Sequence, residues 1–414
     1  MRGLAIRAVL VKGSREFIPL YALYALLFAD HGLNTAQISS LLALWSVTSF
    51  VLEVPSGAWA DTVSRRLLLV GSGALVAAAF TLWTVTPSYL GFALGFVLWG
   101  VSSALESGTF EALVYDSLAA EQRTDAYPRI MGYARAAAES TVVVAILAAA
   151  PLYALGGYAL VGWVSVAIAV AHTAICLLLP DAPRSAGEPE DTDDAEPTTI
   201  RRYLTMLRAG LGETMRVRRV RRGVVLVALL FGITAYDEYF ALLAQSAGVS
   251  TTVVPVLIGI TVVGSMTGTL LAGRTSSLPA RTLARMVGVG GVLFVGGSLV
   301  AGAAAGRPEL AYPLAVAGFV AIAAGYGTML NAEVVSDARL QDAIEGPARA
   351  TVTSVSGLLA EVVSLAVFGV AALAGVWLSM SVTLALLGTA VLVIAALMPG
   401  WLPRRRARVA GTSE

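Results

Sequence analysis

Apolar residues fill this chain of 414 residues in about twelve stretches of near 20 residues each, parted by short polar breaks. An α-helix needs about 20 residues to cross ~30 Å of hydrocarbon. The pattern therefore predicts spans near 16–30, 36–60, 67–86, 89–118, 127–150 and 158–179, then 223–246, 250–272, 283–305, 309–336, 348–373 and 376–400. Lipid offers the backbone no hydrogen-bond partner, so each span is expected to be helical. One long polar stretch, Asp181–Thr199, is rich in Asp, Glu and Pro and reads as an unfolded linker. After it, Ile200, Tyr203, Leu204, Leu207 and Leu211 recur at helical spacing opposite Arg201, Arg202 and Arg208. Ile200–Arg222 thus reads as an amphipathic basic helix on the inner leaflet, the alternative being a solvated charged linker. The expected organisation is an all-α membrane protein of twelve transmembrane helices in two pseudo-symmetric six-helix bundles, 1–180 and 223–403. Residues 181–222 would link them, and 404–414 would form a basic tail.

Composition agrees: 57% of residues are hydrophobic and only 13% charged, with a mean hydropathy of +0.78. The net charge of +1 hides a segregation by position. With the amino terminus inside, one side collects Arg65, Arg66, Arg123, Arg129, the Arg201–Arg222 cluster, Arg274, Arg281, Arg285, Arg339, Arg349 and the basic tail, and the other holds Arg307 alone. Such asymmetry predicts both termini in the cytoplasm. Arg2, Arg7, Lys12 and Arg15 precede the first apolar run without a small-residue cleavage site after it, so that run is expected to be retained as a span. Arginine far outnumbers lysine and Ala, Gly and Val abound, a bias that suggests a GC-rich bacterial genome and hence a bacterial plasma membrane.

The halves echo each other. Glu111 precedes Asp116 in EALVYDSL of span four, and Glu333 precedes Asp337 in AEVVSDARL of span ten. Span five carries Glu139 in GYARAAAES and span eleven Glu361 in SVSGLLAEVVS, both near mid-span. Agreement of depth, span number and acid type points to duplicated bundles.

Between spans two and three the chain reads GAWADTVSRR, from Gly57 through Asp61 to Arg65 and Arg66, preceded by Glu53, Pro55 and Ser56. This resembles the signature loop of the major facilitator superfamily, a glycine, an aspartate four residues on, then a small residue and paired basic residues, with Ser64 where glycine is usual. With the YDSL stretch of span four, the segment looks like bacterial efflux-type members. The resemblance implies a secondary transporter in which two six-helix halves rock about a midplane site. It implies a cytoplasmic latch of Gly57, Asp61, Arg65, Arg66 and Asp116: Asp61 facing the helix opening near Pro347, and Arg65 paired with Asp116. The plainer reading of Arg65 and Arg66 is orientation anchoring. The matching segment GTLLAGRTSS keeps Gly268 and Arg274 but lacks the aspartate, so a weaker latch is expected there. The family's Arg-bearing motif in span four is absent, and its proline-glycine signature in span five survives only as Pro151 with Gly156 and Gly157.

Inside the spans lie Glu53, Glu106, Glu111, Glu139, Asp237, Glu238, Glu333 and Glu361. A charge at mid-bilayer costs roughly 2.5–3.5 kcal/mol, so such residues need a reason. In the family's fold, spans one, four, seven and ten line the cavity and two, five, eight and eleven its rim; spans three, eight, nine and twelve of this chain carry no interior acid. A buried carboxylate takes or releases a proton as water reaches it, the chemistry of a proton-coupled carrier. Asp237, Glu238, Glu139, Glu361 and Glu106 are the candidates for that role. Adjacent acids in a helix point about 100° apart, so Asp237 and Glu238 cannot face one spot. Arg135 shares a face with Glu139 and would make it an ion-pair residue instead; for Glu361 the alternative is an interhelical hydrogen bond. Tyr24, Trp99, Glu111, Tyr236, Tyr326 and Glu333 are the candidate cavity residues, the aromatics as cation-π surfaces or, more plainly, as packing. Excess interior acid with little interior base favours a cationic, amphipathic substrate, and proton-coupled uptake of a polar metabolite is the alternative. His172 with Cys176 on one face of span six reads as a structural pair, and Gly264 and Gly268 as a close helix contact.

Other classes fit poorly. A single cysteine, Cys176, makes no internal disulfide, and no Cys/His metal spacing occurs. No nucleotide-binding glycine motif occurs, so ATP hydrolysis is not expected, and the alternative of another class, a non-transporting membrane receptor, scaffold or embedded enzyme, is disfavoured by the lack of a nucleophile–base pair and of a sizeable soluble domain. The expected partners are a small-molecule substrate, protons and the bilayer, with no cofactor, metal or nucleic acid, for a monomer.

Overall fold

The computed structural model describes residues 2–181, 217–344 and 349–403, the side chains of residues 2, 54–55, 57–58, 60–62 and 349–351 excepted. The chain divides into two compact units, Met1–Tyr203 with Ser250–Gly259 and Leu204–Val249 with Ile260–Glu414. The first contains α1 (Arg2–Glu16), α2 (Tyr24–Asp30), α3 (Thr35–Thr62), α4 (Arg65–Val85), α5 (Tyr89–Glu106), α6 (Thr109–Ala120) and α7 (Tyr127–Cys176). At 50 residues α7 is twice a bilayer's depth, and it is two spans joined where Gly156 and Gly157 leave helical geometry. Gly157 turns at φ +59, a conformation that a Cβ would strain.

Later elements are α8 (Arg218–Gly232), α9 (Phe240–Ser246), α10 (Val254–Thr275), α11 (Ala280–Gly302), α12 (Ala311–Ala343), α13 (Arg349–Ala374) and α14 (Met380–Trp401). Ten stretches among the described residues are long and apolar enough to cross a bilayer. One of them contains the double-length α7, and the interrupted first span adds another, so the chain is an all-α membrane protein of twelve transmembrane helices, six in each half. No strand occurs among the described residues.

Three spans are interrupted, each with a local cause. In span one, Ile18 is extended ahead of Pro19, which opens a 3₁₀ turn over Pro19–Ala22. Proline lacks an N–H and pushes its predecessor out of the α region. The amide of Leu20 donates instead to Ser165 Oγ at 3.1 Å, on the second limb of α7. In span seven the corresponding interruption is a 3₁₀ stretch, Ile233–Tyr239, between α8 and α9. Gly232 precedes it, packed so closely on α13 that a Cβ would lie 2.4 Å from the Ala360 carbonyl, and Ser364 Oγ donates to the Gly232 carbonyl at 3.3 Å. In span four, Gly108 at φ +70 separates α5 from α6. Serines from neighbouring spans thus supply the partners that the bilayer cannot.

Two expectations change. Span one starts well before residue 16: α1 is helical from Arg2, and Leu4, Ala8 and Val11, at helical spacing, bury against Phe110, Leu113 and Ile130. Lys12 and Arg15 are therefore inside the bundle, not ahead of it. Residues 200–216 of the amphipathic helix lie outside the described residues, and Arg218–Arg222 open α8 of span seven rather than ending a separate surface helix. The basic tail 404–414 also lies outside them.

Candidate functional site

In the first half the chemistry gathers around Glu106, the last residue of α5. Lys12 and Arg15 are three residues apart on α1, so both reach the same side. Lys12 Nζ donates to Glu106 Oε1 at 2.9 Å and Arg15 Nε to Oε2 at 2.6 Å, one cation on each oxygen. Arg15 Nη2 reaches Ser102 Oγ at 3.2 Å, and Ser102 is held by Ser72 at 2.8 Å. Lys12 lies over the Phe110 ring at 4.7 Å and 3.7 Å from Glu111. Arg15 is only 5% exposed, and its Nη1 has no hydrogen-bond partner. Glu16 interacts electrostatically with Arg15, Glu106, Lys12 and Glu139. His172 closes the cluster, its Nδ1 2.9 Å from Ser14 Oγ and its Nε2 3.6 Å from Cys176 Sγ. Beside Arg15, Tyr21 stacks on Trp99 at 5.2 Å, and Trp99 also meets Phe96 and Trp45.

This overturns one expectation. The interior of the first half is not acid with little base: Lys12 and Arg15 compensate Glu106, and Glu111 shares Lys12. The sequence reading placed Lys12 and Arg15 ahead of the first span, because a hydropathy window starts only after them, and passed over Glu16 at the span's first position. The signal that would have found them is the apolar Leu4, Ala8, Val11 series, which puts Lys12 and Arg15 in a helix that must pack.

In the second half, Asp237 and Glu238 lie in the 3₁₀ stretch of span seven, both partly buried. Three residues per turn separate neighbours by about 120°, so they diverge even more than in an α-helix. Tyr326 of α12 donates its hydroxyl to Asp237 Oδ2 at 2.7 Å. That joins one candidate carboxylate and one candidate cavity residue from two different spans. Tyr236 is fully buried, its hydroxyl on Met329 Sδ at 3.5 Å and its ring 4.3 Å from Phe294. Tyr24 is enclosed by Phe28, Trp83, Phe96 and Trp99, and Trp99 lies among aromatic rings; Tyr326 has the acidic neighbour Asp237.

The remaining candidates are dispersed. Glu139 and Arg135 are both exposed on the first half, with no ion pair between them. Glu333 and Glu361 are partly buried in the second half, and Glu53 is exposed on α3. At the end of α6, Asp116 forms an ion pair with Arg65 at the start of α4. Arg66 instead reaches Asp181 at 3.3 Å, which also takes a hydrogen bond from Ser64, the α4 N-cap, at 2.8 Å. Gly57 and Asp61 are in α3, but the Asp61 side chain and Pro347 lie outside the described residues. In the second half the matching loop is held differently: Arg339 of α12 donates to the carbonyls of Ser276 and Leu278 at 2.8 and 2.6 Å. Gly268 packs on α12 so tightly that a Cβ would lie 1.9 Å from the Gly327 carbonyl. Among the described residues no group of three or more His, Cys, Asp or Glu is placed to hold a metal.

A family model for the Major Facilitator Superfamily matches residues 9–355. The chain belongs to the Major Facilitator Superfamily. It is a multi-pass membrane protein with a transporter fold. Solved structures agree on the fold. The nucleoside transporter NupG superposes with a TM-score of 0.71 at 12% identity, covering 97% of this chain and 99% of that one. A bacterial homolog of the human lysosomal transporter Spinster, inward-facing and occupied, gives 0.65 at 14% identity, covering 96% and 95%. The POT family transporter PepTSo gives 0.65 at 12%, covering 96% and 97%. No curated protein matches the chain. At such identities the likeness carries the fold and not the substrate.

Proposed function

We propose that this superfamily member is a proton-coupled secondary transporter of the bacterial plasma membrane, with both termini cytoplasmic, that exports an amphipathic, cationic small molecule by alternating access. The observation that carries the proton coupling is Asp237, placed where span seven loses its α-helix and hydrogen-bonded by a neutral hydroxyl, Tyr326, from span ten. Interrupted helices at corresponding positions of two repeats are where transporters of this kind expose backbone and side chains to their cargo, and spans one and seven are such a pair. Export is supported by the efflux-like loop around Arg65 and Arg66, and the Arg65–Asp116 ion pair suits a latch that breaks and reforms as the transporter changes state.

A second reading rests on Lys12 and Arg15. A buried cation, Arg15, and a partly buried one, Lys12, at the interruption of span one suit a substrate carrying an anionic group, which favours uptake of a polar metabolite. Proteoliposomes with an imposed pH gradient, scanned with candidate compounds of both charges, decide between them. For the parent protein the expected result is gradient-driven movement of a cation, lost in Asp237→Asn and weakened in Glu238→Gln and Glu361→Gln. Movement that ignores the gradient would remove the proton; gradient-driven entry of an anion would replace export by the second reading.

A further inference from the structure

Two buried hydrogen-bond donors of the first half have no acceptor among the described residues, Nη1 of Arg15 on α1 and the indole Nε1 of Trp45 on α3. A covered N–H without a partner has given up its water and gained nothing, so such groups call for a reason. Their neighbours are satisfied. The rest of the Arg15 guanidinium is engaged, Nε with Glu106 and Nη2 with Ser102, and the buried indole of Trp83 donates to the Phe92 carbonyl at 3.1 Å. Arg15 itself is only 5% exposed.

A row of rings joins the two donors. Tyr21 interacts electrostatically with Arg15 and lies parallel to Trp99, with 4° between the planes and 5.2 Å between the ring centres. Trp45 meets the other ring of that pair, Trp99, at 5.7 Å. Phe80, Trp83 and Phe96, which pack against Tyr21 and Trp99, are fully buried, whereas Tyr21, Trp45 and Trp99 each keep part of their surface exposed. Flat apolar surface with a few placed donors is what holds and orients a small aromatic molecule. The charges say which acceptor it carries. Around Lys12 and Arg15 stand three carboxylates, Glu106, Glu111 and Glu16, so the cluster is not short of negative charge and another carboxylate would be repelled. What these two donors lack is a neutral oxygen.

We propose that this part of the first half is a subsite for a planar aromatic ligand bearing neutral carbonyl oxygens, which accept from Arg15 Nη1 and Trp45 Nε1 while the ring system rests against Tyr21, Trp99 and Trp45. Both donor atoms are covered in this state, and the side chains of Lys12, Tyr21, Trp45 and Trp99 beside them are partly exposed, so the ligand enters by moving those side chains. The inference rests on the proposed transport only in calling the ligand cargo.

The test uses the purified full chain in detergent micelles, with binding read by isothermal titration calorimetry and no gradient. The probes are diacetylnaphthalene with its two ketones at opposite ends, diethylnaphthalene of the same shape, naphthalene dicarboxylate, and diacetylcyclohexane. Saturable binding of the aromatic diketone is expected, with the hydrocarbon and the ring-free diketone each weaker by about tenfold or more. Trp45→Phe keeps a ring but removes the N–H, and should lower affinity for the diketone about fivefold while leaving that for the hydrocarbon unchanged. Arg15→Lys keeps a cation for Glu106 but removes Nη1, and should show the same pattern. Trp163→Phe, at an exposed tryptophan of α7, should bind as the parent does. Melting temperatures without ligand show that each variant is folded. Equal binding of diketone and hydrocarbon would mean that the rings alone attract, absence of binding to the parent would mean that the donors hold water, and tighter binding of the dicarboxylate would mean that the cluster takes an anion; each overturns the proposal. A parent that binds the diketone but does not move it under a pH gradient would keep the subsite and count against the proposed function alone.

Discussion

Glu106 is the hub of the first half's charge cluster, and its removal should be the costliest single change there. Glu106→Gln deletes one charge but leaves two cations, Arg15 at 2.6 Å and Lys12 at 2.9 Å. Breaking a buried pair from one side costs about 3–5 kcal/mol, and about 3 kcal/mol is expected here because Glu111 and Glu16 still partly compensate the two cations. Arg15→Met is milder: Glu106 keeps Lys12, and the loss is a charge-assisted hydrogen bond, about 1.5–3 kcal/mol. Lys12→Met is milder still, since Lys12 has a side chain 22% exposed and shares itself between Glu106 and Glu111; under about 1 kcal/mol is expected. The double change Arg15→Met/Glu106→Gln removes the charge and its closest partner together. It should cost less than the two single changes summed, with a coupling of about 2 kcal/mol. Reversible unfolding in mixed detergent micelles measures all four variants on one scale. Additivity to within about 0.5 kcal/mol, or a Lys12→Met as damaging as Glu106→Gln, would refute the hub.

Other consequences are checked with the same preparations. Tyr326→Phe deletes the 2.7 Å donor to Asp237 and should slow gradient-driven transport roughly 10- to 100-fold, read as initial rates at a fixed pH difference; unchanged rates would remove that hydrogen bond from coupling. Gly268→Ala drives a Cβ into the Gly327 carbonyl and should cost about 2 kcal/mol or more, while Gly296→Ala, with nothing within 4 Å, should stay within about 1 kcal/mol of the parent or gain helix propensity. Arg65→Asp and Asp116→Arg singly should each cut transport, and the two combined should recover at least about half of it, since opposite charges face each other again. A double change no better than either single one would leave the pair without a role in the transport cycle.

The number of spans, the break between 150 and 158 and the facing of Arg65 and Asp116 could be read from hydropathy and a loop motif; Gly156 and Gly157 were noted only as a remnant of a signature, not as the turn they make. Those signals are local. The interruptions could not be read so easily. Pro19 is visible in span one, but span seven breaks without a proline, at Gly232, because Gly232 presses on α13 and Ser364 takes up its carbonyl; both facts are tertiary. The candidate acids were found as residues but not as partners. Glu106 and Glu111 meet through Lys12, a residue assigned by hydropathy to a polar terminus. Asp237 meets Tyr326 across 89 positions of sequence. Tyr24 and Tyr236 lie among other aromatic rings, an enclosure that depends on neighbours from other spans and is not written in the local sequence.

The two halves have therefore kept the same frame while dividing the electrostatic work. In the first, a carboxylate is locked by two cations, so giving it a proton breaks two ion pairs and leaves Lys12 and Arg15 only the more distant Glu111 and Glu16. In the second, the Asp237 carboxylate is steadied by a neutral hydroxyl, and a proton can arrive there without breaking an ion pair. On the proposed function the proton is accordingly expected at Asp237, and the Glu106 cluster is expected to respond to the charge of the cargo. A cationic cargo would compete with Lys12 and Arg15 for Glu106, and an anionic one would compete with Glu106 for the cations. Replacing Glu106 therefore alters which charge is carried, whereas replacing Asp237 alters whether the gradient drives it. A Glu106→Gln protein that loses proton drive while keeping its cargo preference would reverse this assignment of the two sites.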